Sequence, residues 1–442
     1  MDSPLWHNDL NFSLPPEKVP MAGAKAGCSP IFSVTRRNFM NKKLVALAVA
    51  GAFALPLAAE AQTANVTLYG RLNLDFEFVK GKTCAAATVP VTGAPGTAAG
   101  CNVGLATEST KNSTVNRLST NSSRFGMRGT ESLGGGLNAI FQIESSINGD
   151  TNSGNLGGRE TFVGLQGSWG KFTVGQFLMP EDDLHPIFGN APTLTTSILS
   201  TAALWAQGPV SKADGGFDAR LGNSVRYDSP NFSGFTTAWQ YSTRDSSGTT
   251  GANTGDHTSE LRHAYVIGGN LIYANGPWNA GVAFERNQKV RGPDLKDTDI
   301  TATLAYDFGT IMAGFGLRLA GVYERTKYET PTGDLKRDFW GVSGTVPVGG
   351  GKVYLFWGRA NDGKGSAADG TNVGNIVKGA DTKADHWEVS YSYSLSPRTL
   401  LYTGYTRINN KANARYVFNI NSYPIAPGGK PSGLVFGIVH FF

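Results

Sequence analysis

Five histidines follow residue 61: His185, His257, His263, His386 and His440. None belongs to an H-E-x-x-H pair, and no G-x-S-x-G elbow presents a serine, so zinc-assisted and serine hydrolysis both lack their minimal residues. Asp182-Asp183-Leu184-His185 gathers two acids and an imidazole within four positions. In a polar stretch that spacing fits a solvated loop better than a metal centre. Gly349-Gly350-Gly351-Lys352 has the residue types of a phosphate loop, but the spacing is wrong and Val353 stands where a hydroxyl is needed. It reads as a tight turn, and neither catalysis, a cofactor nor a metal is expected.

Sulfur chemistry is more promising. Met40 opens a segment with a basic start, Asn41-Lys42-Lys43, an apolar run from Leu44 to Leu57, and the cleavage pattern Ala59-Glu60-Ala61. That is the form of a secretory signal, and the run is too short to span a bilayer comfortably. The expected organisation is an extension over 1–39, arising from a start codon placed too early, a signal over 40–61 and one domain over 62–442. Cys28 lies in the extension. Cys84 and Cys101 lie beyond the signal and flank a segment of Gly, Ala, Pro and Thr. Export to an oxidising compartment favours a disulfide between them, contributing on the order of 3 kcal/mol by loop closure. Two free thiols, or metal binding without a neighbouring histidine, are the alternatives.

The elements that must carry these residues are strands. Glycine is abundant at 57 residues, aromatics make up 11 % and charged residues only 17 %, a balance suited to strands and turns. No apolar run of 18 residues provides a spanning helix. Removing the six cations and four acids before Gln62 lowers the net charge from +5 to +3. That excludes nucleic acid as an expected partner and leaves room for a mild anion preference.

From Val66 the chain alternates: Val66, Leu68, Leu72, Leu74, Phe76 and Phe78 on one parity, Thr67, Tyr69, Arg71, Asn73, Asp75 and Glu77 on the other. Such a period makes one apolar and one polar sheet face. It recurs over Leu137–Glu144 and over Trp387–Tyr393. Short turns at 131–136, 167–170, 229–234, 275–277, 308–310, 348–351 and 394–398 alternate with long polar segments near 79–116, 148–158, 178–220, 242–260, 287–298, 326–337, 361–384 and 410–432. Seven turns and eight loops join sixteen strands, an even number with both ends on the short-turn side, as in single-chain outer-membrane barrels. Leu434, Phe436, Ile438, His440 and the terminal Phe442 close the pattern. The expected fold is therefore all-β, a sixteen-stranded antiparallel transmembrane barrel with a wet interior. A soluble sandwich is the competing reading of any single strand.

Several stretches carry a resemblance: Val66-Thr-Leu-Tyr-Gly-Arg71, Ser123-Arg-Phe-Gly-Met-Arg-Gly-Thr-Glu131, Gly135 to Glu144, Phe162-Val-Gly-Leu-Gln-Gly167, Asn223 to Pro230, Tyr391 to Ser396 and Gly437-Ile-Val-His-Phe-Phe442. In these residues the chain resembles the Gram-negative general porins, particularly those of β-proteobacteria, over nearly all of residues 62–442. The resemblance implies a homotrimer in the outer membrane, surrounded by lipid and lipopolysaccharide whose phosphates a divalent cation can bridge, and inserted by the barrel assembly machinery with Phe442 as its signal. It implies passive diffusion of ions and small hydrophilic solutes, and a third loop, about 178–220, folded into the pore. Glu181, Asp182 and Asp183 on that loop are then candidate constriction acids.

Facing them, Arg71, Arg124, Arg128 and Arg226 fall on the polar parity of their strands. A charge on the lipid face costs roughly 2–4 kcal/mol at midplane and little in a wet lumen, so these arginines are expected on the inner wall. Opposed acids and arginines would set a transverse field that tunes ion preference. Tyr227, Trp239, Trp387 and Tyr405 are expected in the interfacial girdles. The remaining alternatives are a channel selective for one solute class and a non-conducting barrel acting as adhesin or enzyme.

Overall fold

The computed structural model describes residues 65–84, 110–151, 153–189, 197–244, 263–310, 314, 316–423 and 425–442. The expected extension over 1–39, the expected signal over 40–61 and Cys101 lie outside them, as does the side chain of Cys84. The strands in chain order are β1 (Asn65–Cys84), β2 in two parts (Thr110–Thr120 and Arg124–Gly134), β3 (Leu137–Asn148), β4 (Thr161–Gly167) and β5 (Gly170–Leu178). After a long loop come β6 (Arg220–Asp228), β7 (Phe235–Thr243), β8 (Tyr265–Asn275), β9 (Trp278–Gln288), β10 (Lys296–Asp307) and β11 (Arg318–Thr330). Then follow β12 (Gly333–Val348), β13 (Gly351–Ala360), β14 (Ala384–Ser396), β15 (Thr399–Asn410) and β16 (Ser432–Phe441). Both parts of β2 pair with β1, so these are sixteen strands, each antiparallel to its neighbours.

β16 pairs with both β15 and β1, closing the sheet. Phe442 completes the seam, its amide donating to the Gly70 carbonyl at 3.1 Å and its carbonyl accepting from the Gly70 amide at 3.0 Å. Closure satisfies the backbone between strands and leaves no edge facing lipid. What remains exposed outside is apolar side chain: Leu68 is 62 % exposed and Phe436 52 %, while Asn73, Asp75 and Glu77 on the other parity are buried inside. The same division holds on β14, where Val389 faces out and His386 and Glu388 face in.

One expected loop is not a loop. The polar segment 326–337 is instead the upper parts of β11 and β12, paired from Thr330↔Gly333 downward around a Pro331-Thr332 turn. Its outward residues are charged because they stand beyond the apolar belt, where Lys327 meets Asp334 at 3.1 Å and Arg325 meets Asp338 at 2.7 Å. Conversely, the expected short turn at Phe308–Thr310 lengthens, since β11 begins only at Arg318.

The third loop, residues 179–219 as far as described, lies against the inside of the wall. Its described residues carry four short helical turns, Asp182–Leu184, His185–Phe188, Thr201–Ala203 and Lys212–Asp214. Its apolar residues Leu184, Phe188, Leu199 and Trp205 are fully buried against Phe339 and Phe356 of the wall. Inward-facing glycines make the seat. An added Cβ at Gly281 of β9 would meet Leu184 and Ile187 at 3.0 Å, and one at Gly404 of β15 would meet Leu199 at 2.9 Å. The last long loop also turns inward, burying Tyr416, Phe418 and Tyr423 in the same core.

Candidate functional site

Strand parity places Arg71 on the inner face of β1, and register sets Arg124 of β2 directly opposite it. Two like charges side by side would repel. The break in β2 answers part of this need, because the carbonyls it frees point at Arg71: Nε donates to the Ser122 oxygen at 3.2 Å and Nη2 to that of Asn121 at 3.5 Å. Ser122 takes a left-handed φ of 53° at the break.

Glu144 on β3 supplies the countercharge. It accepts from Arg159 Nε at 2.6 Å and from Arg124 Nη1 at 3.3 Å. Tyr69 Oη adds a third donor at 3.1 Å. Tyr69 reaches across β2 only because Gly126 lies between, where a Cβ would come within 2.6 Å of the ring. Arg128, two positions along, stays exposed with its guanidinium 5.2 Å from the centre of that ring. Arg220, at the start of β6, lies in the fields of Arg159, Glu160 and Asp182. The inner wall thus carries Arg71, Arg124, Arg128, Arg159 and Arg220 around one buried carboxylate. Arg159 and Glu144 were not singled out by parity, because Arg159 sits in a loop and Glu144 was read only as one more polar strand position.

The loop acids divide. Asp182 is half-buried on the loop's surface. Asp183 is not opposed to Arg226 across a gap but bonded to it at 2.7 Å, and it also accepts from Asn270 Nδ2 at 2.8 Å. Arg226 is further tied to Asp228 at 2.8 Å and to the Leu178 carbonyl at 3.1 Å. This pair therefore pins the stem of the loop to β6 and β8. Burial still pushes the Asp183 carboxyl upward, the Arg226 guanidinium opposing it.

Glu181 departs furthest from expectation. It is 2 % exposed, packed between the loop and the wall, and accepts from Thr301 Oγ1 at 2.8 Å. Burial, with Glu324 and Asp218 nearby, pushes its carboxyl up to about 8. It does not line an opening. On the basic side, burial and the positive charges of Arg244 and Arg220 hold the Lys212 ammonium of the loop down to about 8.

Outside, Trp239 is exposed, and Trp387 and Tyr405 pack together at 5.3 Å on the outward parity of β14 and β15. Tyr227 donates to the Trp169 carbonyl at 2.7 Å beside the 167–170 turn.

Known proteins share this architecture and sequence. The chain is 29 % identical to outer membrane porin protein 32 of Delftia acidovorans over 91 % of its own length and 100 % of that protein. It is 29 % identical to the major outer membrane protein P.IB of Neisseria meningitidis serogroup B, over 65 % of this chain and 85 % of that one. Among solved structures, an anion-selective porin from Comamonas acidovorans superposes with a TM-score of 0.64 at 25 % identity, covering 86 % of this chain and 100 % of that chain. A family model described as Gram-negative porin matches residues 46–413. A closed sixteen-stranded wall, an apolar belt and these relatives together place the chain in the Gram-negative porin family, as an outer-membrane diffusion channel and not an enzyme.

Proposed function

We propose that the channel passes small hydrophilic solutes and favours anions over cations. The observation that carries this is the crowding of Arg71, Arg124, Arg128, Arg159 and Arg220 around the buried carboxylate of Glu144. Fixed charge at a wet wall raises the local concentration of the opposite ion and lowers that of its own sign. On the loop side Asp182 is the acid left to face this wall, since Asp183 is neutralised by Arg226 and Glu181 is buried. The anion-selective name of the Comamonas relative supports the same sign.

The assembled form in this reading is a homotrimer, supported by the broad apolar outer face and by the porin relatives. Lipopolysaccharide would surround the charged outer ends of β11 and β12, and the barrel assembly machinery would read the strand ending in Phe442. The pairing of Cys84 with Cys101 remains part of this proposal. Liposome swelling tests the pore: vesicles carrying the protein should swell faster in an isotonic small-anion salt with an impermeant cation than in the converse salt. Equal rates would remove the anion preference, and no swelling in either would remove the pore.

A further inference from the structure

Between the third loop and the wall lies a set of carboxylates that the diffusion pathway does not use. Glu285 of β9 stands directly opposite Asp299 of β10, and Thr301, two positions on, stands opposite Glu324 of β11. The loop lays Glu181 and Asp218 over them, and all five carboxylates are at least nine-tenths buried. The cationic groups in contact are few. Arg337 binds Glu324, and His185 Nε2 lies 2.9 Å from Asp218.

Buried charge without compensation is costly, so these groups need partners. Glu324 has them: the Arg337 guanidinium on one oxygen and the Ala206 amide on the other. Glu181 and Asp299 do not. The Thr301 hydroxyl lies 2.8 Å from Glu181 Oε1 and 3.0 Å from Asp299 Oδ2, yet its one hydrogen serves only one of them. The other oxygens, Glu181 Oε2 and Asp299 Oδ1, are buried with no hydrogen-bond partner. The Tyr328 hydroxyl, also fully buried and without a partner, lies in the field of Asp299 and Glu324. One oxygen from each of Glu181, Asp299 and Glu324 lies within 4.8 Å of the others.

We propose that Glu181, Asp299 and Glu324 bind a divalent cation that clamps the third loop to the barrel wall. An all-oxygen donor set of carboxylates suits a hard ion such as Ca²⁺, which tolerates irregular geometry and completes its shell with water. Two ligands belong to the wall and one to the loop, so the ion ties the loop to β10 and β11. The competing way to settle these charges is protonation, which needs no ion.

Terbium(III), a luminescent stand-in for Ca²⁺, separates the two. Trp205 is placed to sensitise it, since it stacks on His185 at 4.3 Å and precedes the Ala206 amide that holds Glu324. The full chain, refolded in detergent without lipopolysaccharide, is titrated with TbCl₃ at neutral pH. The expected result is saturable tryptophan-sensitised emission at one ion per chain, displaced by CaCl₂ and lost in Trp205→Phe. Asp299→Asn should weaken binding at least tenfold. A second readout needs no variant: EDTA should lower the thermal unfolding midpoint of the wild type and CaCl₂ should restore it. Absent or unsaturable emission together with an unfolding midpoint indifferent to EDTA would overturn the cation site in favour of shared protons.

Discussion

Arg71 and Arg124 face one another across β1 and β2, with Arg124 held at 3.3 Å by the Glu144 carboxylate of the next strand. That juxtaposition concentrates positive charge on the inner wall. Removing either arginine therefore weakens anion attraction. A unit charge about 4 Å from a passing ion in water contributes about 1 kcal/mol, favourable for the anion and unfavourable for the cation, so the anion-to-cation permeability ratio should fall by up to roughly 25-fold in Arg71→Ala or Arg124→Ala. Reversal potentials in a salt gradient measure this directly. An unchanged ratio in both variants would show that selectivity is set elsewhere.

Glu144→Gln should act in the opposite sense. It removes the buried acid among five arginines, so the preference for anions rises. It also costs the charge-assisted bonds from Arg159, Arg124 and Tyr69, and the barrel should lose about 1–3 kcal/mol. Thermal unfolding in detergent, read alongside the reversal potential, would reveal whether stability and selectivity move in these opposite directions.

The Asp183–Arg226 pair makes a different kind of statement. Its 2.7 Å contact holds the stem of the third loop rather than charging the pore. Asp183→Asn should therefore raise open-channel noise while leaving the sign of selectivity unchanged. A reversal of selectivity with quiet single-channel steps would return Asp183 to the pore lining.

The pH dependence follows from Lys212. Burial, Arg244 and Arg220 hold its ammonium down to about 8, below the usual lysine range. The folded protein therefore releases this proton before the unfolded chain does. Between about 8 and the ordinary lysine value near 10.4 the unfolded state binds more protons, and this group's contribution to stability grows with pH. Below 8 the penalty for the buried charge is fully present. In the pore the same titration removes one positive charge, so anion preference should decline from pH 7 to 9. Lys212→Met should flatten that decline, and an identical pH profile in the variant would assign it to another group.

Much of this was legible because a strand's parity is a physical constraint. Lipid demands apolar residues at every second position, and β1, β3, β14 and β16 all obey. The rule fails where the membrane stops. The outward residues of β11 and β12 beyond the apolar belt, from Arg325 to Asp338, are charged instead of apolar and so resemble a loop, although the strands there are paired. The loop acids failed for another reason. Glu181, Asp182 and Asp183 are adjacent in sequence, but one is buried behind the loop, one half-buried and one bonded to Arg226. Which neighbour each one meets depends on how the third loop settles onto inward glycines such as Gly281 and Gly404, and that long-range fit leaves no local pattern. Glu144 escaped notice likewise, since its three donors come from β1, β2 and the loop after β3.

The most direct measurement is single-channel current through the purified protein in a planar bilayer under a KCl gradient. Discrete ohmic steps with a reversal potential of the sign given by chloride passing faster than potassium are the expected result. A well-folded barrel that leaves the membrane silent, or one whose reversal potential shows potassium passing faster, would contradict an anion-preferring pore walled by Arg71, Arg124 and Arg128.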